Sequence, residues 1–299
     1  MIELKDLTKY YGRARGIEHV TFSVNNGEVV GLVGLNGAGK TTTIKVTAGV
    51  LRPTSGDAII DGISIVSDKV EASRRVGWVP ELPNFEDDFR AKDYLVYLAG
   101  YYNITGRQAD ELAERLLAEV GLSGAEGRRL REYSQGMRKR FALAASMISD
   151  PDNYLFDEVL NGLDPQGIAF FRKFALDSRQ GGKAILFSSH ILSEVQNVAN
   201  RVVFIHRGRA IAVKAMDEIM AEARAAVKVV VANPDDKVLD VLSQLGKARA
   251  MGRDSFEVSG ASPDQVTSQL VARGYKVMQV TQVGGLEEYF FSLIGGEGS

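Results

Sequence analysis

The sequence predicts an α/β fold: a mixed sheet carrying a helical insertion at about 85 to 150, followed after residue 225 by a small α+β module. Three observations predict it. Short β-branched runs bounded by glycine or proline alternate with helical patterns over most of the chain, as in a sheet whose parallel core is covered on both faces. One of those runs, Val29 to Val33, leads through a glycine loop into a helix. Near residue 225 the order becomes βαββαβ, which suggests a ferredoxin-like module of about 70 residues.

Apolar runs at 2 to 8, Ile17 to Val24 and Val29 to Val33 open the chain, and the third is short, β-branched and flanked by glycines, which marks a buried strand. The helical pattern from Gly39 to Val50 is closed by Pro53. Ala58 to Ile60 and Val76 to Val79 read as short strands, the second ended by Pro80, which has no N–H to give a ladder. Helical periodicity then covers Ala91 to Tyr102, Gln108 to Val120 and Gln135 to Ser149. Asn153 to Phe156, Ala184 to Ser188 and Val202 to His206 are further strands, separated by helices at 166 to 179 and 191 to 199. A helix at Asp217 to Arg224 leads to strand Val227 to Val231 and helix Asp235 to Leu245. Lys247 to Met251 and Ser255 to Val258 form a hairpin about Gly252-Arg253-Asp254. Helix Pro263 to Ala272 follows, with Ser262 as its cap and proline at its first position, then strand Lys276 to Thr281 and helix Leu286 to Ile294. The closing Gly-Gly-Glu-Gly-Ser is expected to be disordered.

Composition narrows the function. The 299 residues suit one large domain plus a small one, here 1–224 and 225–299. With 45% hydrophobic and 25% charged residues, the chain has the balance of a globular protein. The 36 Lys and Arg against 38 Asp and Glu leave a net charge of −2, so no nucleic-acid partner is expected from bulk charge. Zero Cys and three scattered His, at 19, 190 and 206, exclude disulfides, thiol nucleophiles and a Cys/His zinc site. No apolar run approaches the roughly 20 residues that span a bilayer, and Met1 to Asp6 lacks the regions of a signal peptide. No direct membrane insertion is expected.

Three motifs carry chemistry. Gly34-Leu35-Asn36-Gly37-Ala38-Gly39-Lys40-Thr41 matches G-x-x-x-x-G-K-[ST], with the required strand before it and helix after it. Backbone N–H groups of such a loop wrap phosphates, Lys40 reaches the β and γ phosphates, Thr41 ligates Mg²⁺, and the helix dipole adds to the anion site. The nucleotide-binding set is Asn36, Gly37, Ala38, Gly39, Lys40, Thr41 and Thr42. The strand Asn153-Tyr154-Leu155-Phe156 delivers Asp157, placed to hold Mg²⁺, and Glu158, placed as a general base for the attacking water. Tyr133-Ser134-Gln135-Gly136-Met137 opens a helix in which Ser134 is a good cap and Gly136 leaves the start open to an anion.

With that third motif placed shortly before the Asp157-Glu158 strand, residues 1 to 222 resemble the ATP-binding subunit of ABC transporters, whose signature of the type L-S-G-G-Q stands there. The resemblance implies a P-loop ABC ATPase core that binds ATP and Mg²⁺. It makes Tyr11 the aromatic that stacks on adenine, His190 the switch histidine at the γ-phosphate, and Asn161-Gly162-Leu163-Asp164-Pro165 the loop linking two subunits. Two chains, alike or different, would then hold ATP between the P-loop of one and the Ser134 and Gly136 motif of the other. Their closing and reopening would drive a polytopic membrane permease, with Glu158, His190 and Lys40 as catalytic residues. The chain would sit in the cytoplasm, peripheral to the cell membrane through that permease, and residues 225–299 would serve regulation or dimerisation or merely cap the ATPase core.

The sequence also departs from the family pattern. Glu81 stands where Gln is usual, and the resemblance gives it contact with Mg²⁺ or its water. Tyr133, Gln135 and Met137 replace Leu, Gly and Gln. Such variants resemble the ATPases of drug, lipid, sodium or polysaccharide exporters. The competing readings are a soluble ABC ATPase acting on ribosomes or DNA and a P-loop kinase. Arg128, Arg129, Arg131, Arg138, Lys139 and Arg140 could steer ATP toward the site, but read mostly as a solvated face. Glu86-Asp87-Asp88, between Phe85 and Phe89, is either a mobile charged loop or the contact with a permease.

Overall fold

The computed structural model of the protein describes residues 1–222 and 226–295. The chain divides into two compact units, Met1–Lys214 and Ala215–Ser299. That division falls ahead of the composition change at 225, because the helix at Met216–Glu222 packs with the last helix of the second unit.

The first unit holds two sheets. Strands β1 (Ile2–Tyr11), β2 (Ala14–Val24), β4 (Ser55–Ile60) and β5 (Ile63–Ser64) form an antiparallel sheet in the order β2-β1-β4-β5. Strands β3 (Val29–Val33), β6 (Val76–Val79), β7 (Asn153–Phe156), β8 (Ala184–Ser188), β9 (Arg201–His206) and β10 (Arg209–Ala215) form the other, in the order β10-β9-β3-β8-β7-β6. From β9 to β6 every pairing is parallel, with Val29 opposite Ile185 and Val79 opposite Phe156. Only Arg207 and Gly208 join β9 to β10, a connection too short for anything but an antiparallel turn, so the sheet is mixed.

Helices α1 (Lys40–Thr47), α2 (Lys69–Arg74), α3 (Ala91–Gly100), α4 (Gly106–Glu119), α5 (Gln135–Ser146), α6 (Pro165–Gln180) and α7 (Leu192–Val198) complete the unit. Every residue of β3, β7 and β8 is buried, as expected where helices cover both faces of parallel strands. Ile44 and Val46 of α1 share one apolar cluster with Leu4 and Ile60 of the antiparallel sheet and Leu32 and Leu186 of the parallel one. This clamp between two sheets fixes the loop that precedes α1. In α4 the buried Ala109, Ala113, Leu116 and Leu117 recur at helical spacing, so one face of the insertion packs inward.

The second unit contains α8 (Met216–Glu222), β11 (Ala226–Ala232), α9 (Lys237–Ser243), β12 (Lys247–Ala250), β13 (Ser255–Ser259), α10 (Pro263–Ala272), β14 (Lys276–Val283) and α11 (Leu286–Gly295). Its sheet runs β12-β13-β11-β14 with antiparallel pairings throughout, and α9 and α10 each carry the chain past one intervening strand. That is the split βαβ arrangement of a ferredoxin-like module. Val227, Val229, Val231 and Val258 meet Val238, Leu242, Val266 and Leu270 in one core, and Ser262 caps α10 reciprocally with Gln265.

The sequence-based expectations differ from this in a few places. β5, α2 and β10 were not expected: the first two are very short, and β10 is at least partly exposed along its whole length and carries Arg209 and Lys214, so it lacks the signal of a buried strand. The first two strands belong to a separate antiparallel sheet, a pairing that no local pattern carries. Helices α1, α3 and α5 end two or three residues early. α11 runs to Gly295, the first residue of the tail expected to be disordered, while the rest of that tail and residues 223–225 lie outside the described residues. Among the described residues no helix is long and apolar enough to cross a membrane.

Candidate functional site

The parallel strands β3, β8, β7 and β6 stand side by side and end together, so the chain leaving each one enters the same crevice. In open α/β sheets this is where ligands bind. Here it is a cleft of ≈ 480 Å³ whose walls include Tyr11, Asn36, Lys40, Thr41, Glu81 and Glu158.

From β3 the chain turns through residues 34–39 into α1. Gly34 lies so close to the β9 end that a Cβ there would stand 2.4 Å from the Ile205 carbonyl oxygen. Gly39, at φ 113°, occupies a backbone region that other residues avoid. It caps α1 without a side chain, which leaves the first N–H groups of the helix facing the cleft with the positive end of the dipole. Gly37, Gly39 and Thr42 also line the cleft, whereas Ala38 turns inward and its N–H bonds the Leu35 carbonyl at 3.0 Å. The Gly208 N–H braces the loop from the β9–β10 turn through the Ala38 carbonyl at 2.8 Å. Lys40 is 5% exposed, and its Nζ donates to the Gly34 carbonyl at 2.8 Å and lies 3.2 Å from Glu158 Oε1.

At the end of β7, Asp157 Oδ1 accepts from Thr41 Oγ1 and from Ser188 Oγ, both at 3.0 Å. Its Oδ2 is buried with no partner among the described residues. Burial pushes the Asp157 carboxyl above the usual carboxylate range, and the two hydroxyl donors pull it back. An orphan carboxylate oxygen beside a threonine hydroxyl, at the foot of a phosphate-binding loop, fits Mg²⁺, a hard cation that takes oxygen donors. Among the described residues no group of three His, Cys, Asp or Glu forms a complete metal cage, so a cation here would draw its other ligands from phosphate and water. Glu81 is exposed on the wall of the same cleft.

Glu158 is held on every side. It is 5% exposed and sits at φ 45°, a strained conformation for a non-glycine residue and a recurrent mark of functional positions. Its N–H donates to Ser188 Oγ at 2.8 Å. Oε1 faces Lys40, and Oε2 receives Asn161 Nδ2 at 3.2 Å and meets His190 Nδ1 at 3.0 Å. The strand end at Ser188 thereby places both Asp157 and His190 relative to Glu158.

The other expected residues fall into two groups. Tyr11, at the end of β1, is half-exposed at the mouth of the cleft, with its Oη 3.4 Å from Thr42 Oγ1. Ser134 caps α5, accepting the Met137 N–H at 3.2 Å, and Gly136 lies against the 161–165 loop. Neither Ser134 nor Gly136 lines the cleft. Asp87 pairs with Arg138 at 2.6 Å and Asp88 with Arg131 at 2.7 Å, beside the packed rings of Phe85, Phe89 and Tyr94.

Sequence reasoning missed Ser188 and Asn161 as partners of the two acids, although a serine ending the apolar strand Ala184–Ser188 was a visible signal. It also placed Lys139 and Arg140 on a solvated face. Both are buried, at 2% and 5% exposed. Arg140 bonds the Gly121 carbonyl at 2.6 Å and Asp164 at 3.1 Å, and Lys139 reaches the carbonyls of Pro80 and Glu158, each at 3.4 Å. Burial lowers the Lys139 ammonium to about 8, while the charges of Glu81, Asp157 and Glu158 pull it up.

The chain is 31% identical to the bacitracin transport ATP-binding protein BcrA of Bacillus licheniformis, over 99% of its own length and 98% of that protein. It belongs to the ABC transporter ATP-binding proteins. The ABC transporter family profile matches residues 17–161 of this ABC ATPase, a span that includes Lys40, Ser134 and Glu158 and ends before His190. The Nod factor export ATP-binding protein I of Burkholderia orbicola is 31% identical over 99% of this chain and 97% of its own. A solved ATP-binding subunit of an ABC transporter superposes with a TM-score of 0.68 at 30% identity, covering 74% of this chain and 92% of that one. A dimeric cassette bound to ADP and Pi has the same fold, with a TM-score of 0.65 at 21% identity over 72% of this chain and 98% of its own. The ABC ATPase is accordingly the ATP-hydrolysing subunit of a transporter, and its likeness to BcrA extends through the C-terminal unit.

Proposed function

We propose that this ATPase drives export through a separate polytopic membrane permease, and that two ATP-binding chains, alike or different, close around the nucleotides between them. The export direction is supported by the relatives named for bacitracin transport and Nod factor export. One observation carries the hydrolytic reading: the Glu158 carboxylate, fixed by Lys40, Asn161 and His190, lines the same cleft as the phosphate loop.

In this reading Tyr11 stacks on the adenine, and the N–H groups of Asn36, Gly37 and Gly39 to Thr42 with the Lys40 ammonium hold the β and γ phosphates, while the Ala38 N–H is taken by Leu35. Thr41 and Asp157 would hold Mg²⁺, with Glu81 flanking it; that ion, when bound, offsets phosphate charge and keeps the oxygens in line. Glu158 takes a proton from water as the water oxygen attacks the γ phosphorus. The bond from that phosphorus to the bridging oxygen breaks, and its electron pair leaves with ADP. His190 steadies Glu158 and contacts the γ-phosphate. Ser134 and Gly136 lie outside the cleft of their own chain, so they serve the nucleotide of the partner chain, and ATP favours the closed pair because only that pair contacts it from both sides. The face of Phe85 to Phe89 meets the permease, placing the protein on the cytoplasmic side of the membrane. The domain after residue 225 is assigned to regulation or dimerisation.

Affinity capture from solubilised membranes of the source cells tests the partner. A polytopic protein in stoichiometric yield that stimulates ATP hydrolysis is expected; ribosomal or nucleic-acid partners alone would overturn the transporter assignment in favour of a soluble ABC ATPase.

A further inference from the structure

We propose that Lys139 is a positioning residue for hydrolysis: from the helix opened by Ser134, its ammonium clamps the two strand ends that carry Glu81 and Asp157-Glu158 and balances the charge of those acids. The inference rests on the reading of Glu158 as the base.

Lysine is almost never fully buried without a partner, yet Lys139 is 2% exposed and, among the described residues, makes no direct ion pair. Its hydrogen bonds go to the carbonyls of Pro80, the residue before Glu81, and of Glu158 itself. Those carbonyls belong to the ends of β6 and β7, which are neighbours in the sheet. A core position that needed only volume would be filled more cheaply by an apolar side chain. The charge here faces Glu81, Asp157 and Glu158, which favour the ammonium against the cost of burial. Two buried cations from different helices thus contact Glu158, Lys40 at its carboxylate and Lys139 at its backbone carbonyl.

The flanking residues give the position a second meaning. Arg138 binds Asp87, in the segment between β6 and α3, and Arg140 binds Asp164 at the 161–165 loop. Three consecutive cations therefore tie the first turns of α5 to the 85–89 segment, the hydrolytic strand ends and the subunit-linking loop. A shift of α5 reaches Glu158 through Lys139.

The test compares the purified full chain with Lys139→Met, which keeps length without charge, and Lys139→Gln, which keeps a donor without charge. Misplacing a base by about an ångström costs on the order of a hundredfold, so kcat should fall about ten- to a hundredfold in both. KM, and ATP affinity measured in EDTA, should move by no more than about twofold, because the phosphate loop is untouched. Glu81→Gln placed in the Lys139→Met background removes one uncompensated negative charge and should recover part of the lost kcat. Parental kcat in Lys139→Gln would overturn the proposal, as would a loss confined to ATP affinity or no recovery in the double variant. If Lys139→Met does not fold, the kcat of Lys139→Gln decides alone. Normal turnover by Glu158→Gln would instead remove the base assignment, an outcome separate from any effect at Lys139.

Discussion

The starts of α1 and α5 look alike in the sequence: each follows small or polar residues, each lacks an acid in its first turn, and each suits an anion. The structure separates them. Gly39 leaves the α1 start uncapped inside the cleft, with Lys40, Thr41 and the strand-end acids around it. Ser134 spends its hydroxyl on the Met137 N–H, and the α5 start lies outside that cleft against the 161–165 loop. The start of α1 therefore opens into the cleft of its own chain, whereas the start of α5 does not. Lys139 joins the two by reaching from α5 to the backbone carbonyl of Glu158, whose carboxylate meets Lys40 of α1.

The comparison breaks first at Glu158, where both helices converge. Glu158→Gln should lower kcat by about 10²- to 10⁴-fold while ATP still binds, as read by steady-state turnover beside equilibrium binding. Rapid turnover would dismiss it as the base. Next comes Lys40→Ala, expected to weaken ATP binding to the single chain by about ten- to a hundredfold through the loss of charged hydrogen bonds. Tyr11→Ala should cost about tenfold in ATP affinity, since base stacking on an aromatic is worth ~1–3 kcal/mol. Ser134→Ala sharpens the contrast: ATP affinity of the isolated chain should stay unchanged while turnover falls, and a matching loss of affinity would place Ser134 in its own chain's cleft.

The smallest effect concerns the bracing of the α1 loop. Glu18 gives its N–H to the Gly208 carbonyl at 2.7 Å, and Gly208 in turn bonds Ala38. The Glu18 carboxyl accepts from Tyr10, Arg209 and Arg15, which lower it from 4.5 to about 2. A carboxyl depressed by folding stabilises the protein above its unfolded value and loses that contribution as pH falls through 4.5 toward about 2. The melting temperature of the parent should therefore exceed that of Glu18→Gln at neutral pH, with the gap closing below pH 4.5. A gap independent of pH would assign the effect to packing instead.

What the sequence disclosed is what is local. Gly34 to Thr41 and Asp157-Glu158 are short motifs at strand ends, so their types and spacing were readable without the fold. The βαββαβ order of the second unit was readable because each element carries its own periodicity or cap. Lys139 was misread because an arginine-rich stretch normally marks a solvated face, and the carbonyls it meets lie 59 and 19 residues away. Ser188 reaches Glu158 only once β7 and β8 are adjacent, and Asn161 only through the turn that its own N–H closes onto the Glu158 carbonyl. The same limit hid the pairing of β1 with β4, since antiparallel partners leave no mark on either run alone.

In the proposed function a second chain completes the site built around Lys40 and Glu158. Sedimentation velocity of Glu158→Gln with and without saturating ATP and Mg²⁺ tests it most directly. A single chain is expected without nucleotide and a stable dimer with it, lost again on adding Lys40→Ala; a chain that stays monomeric with ATP bound would show that no second chain is needed to complete the site.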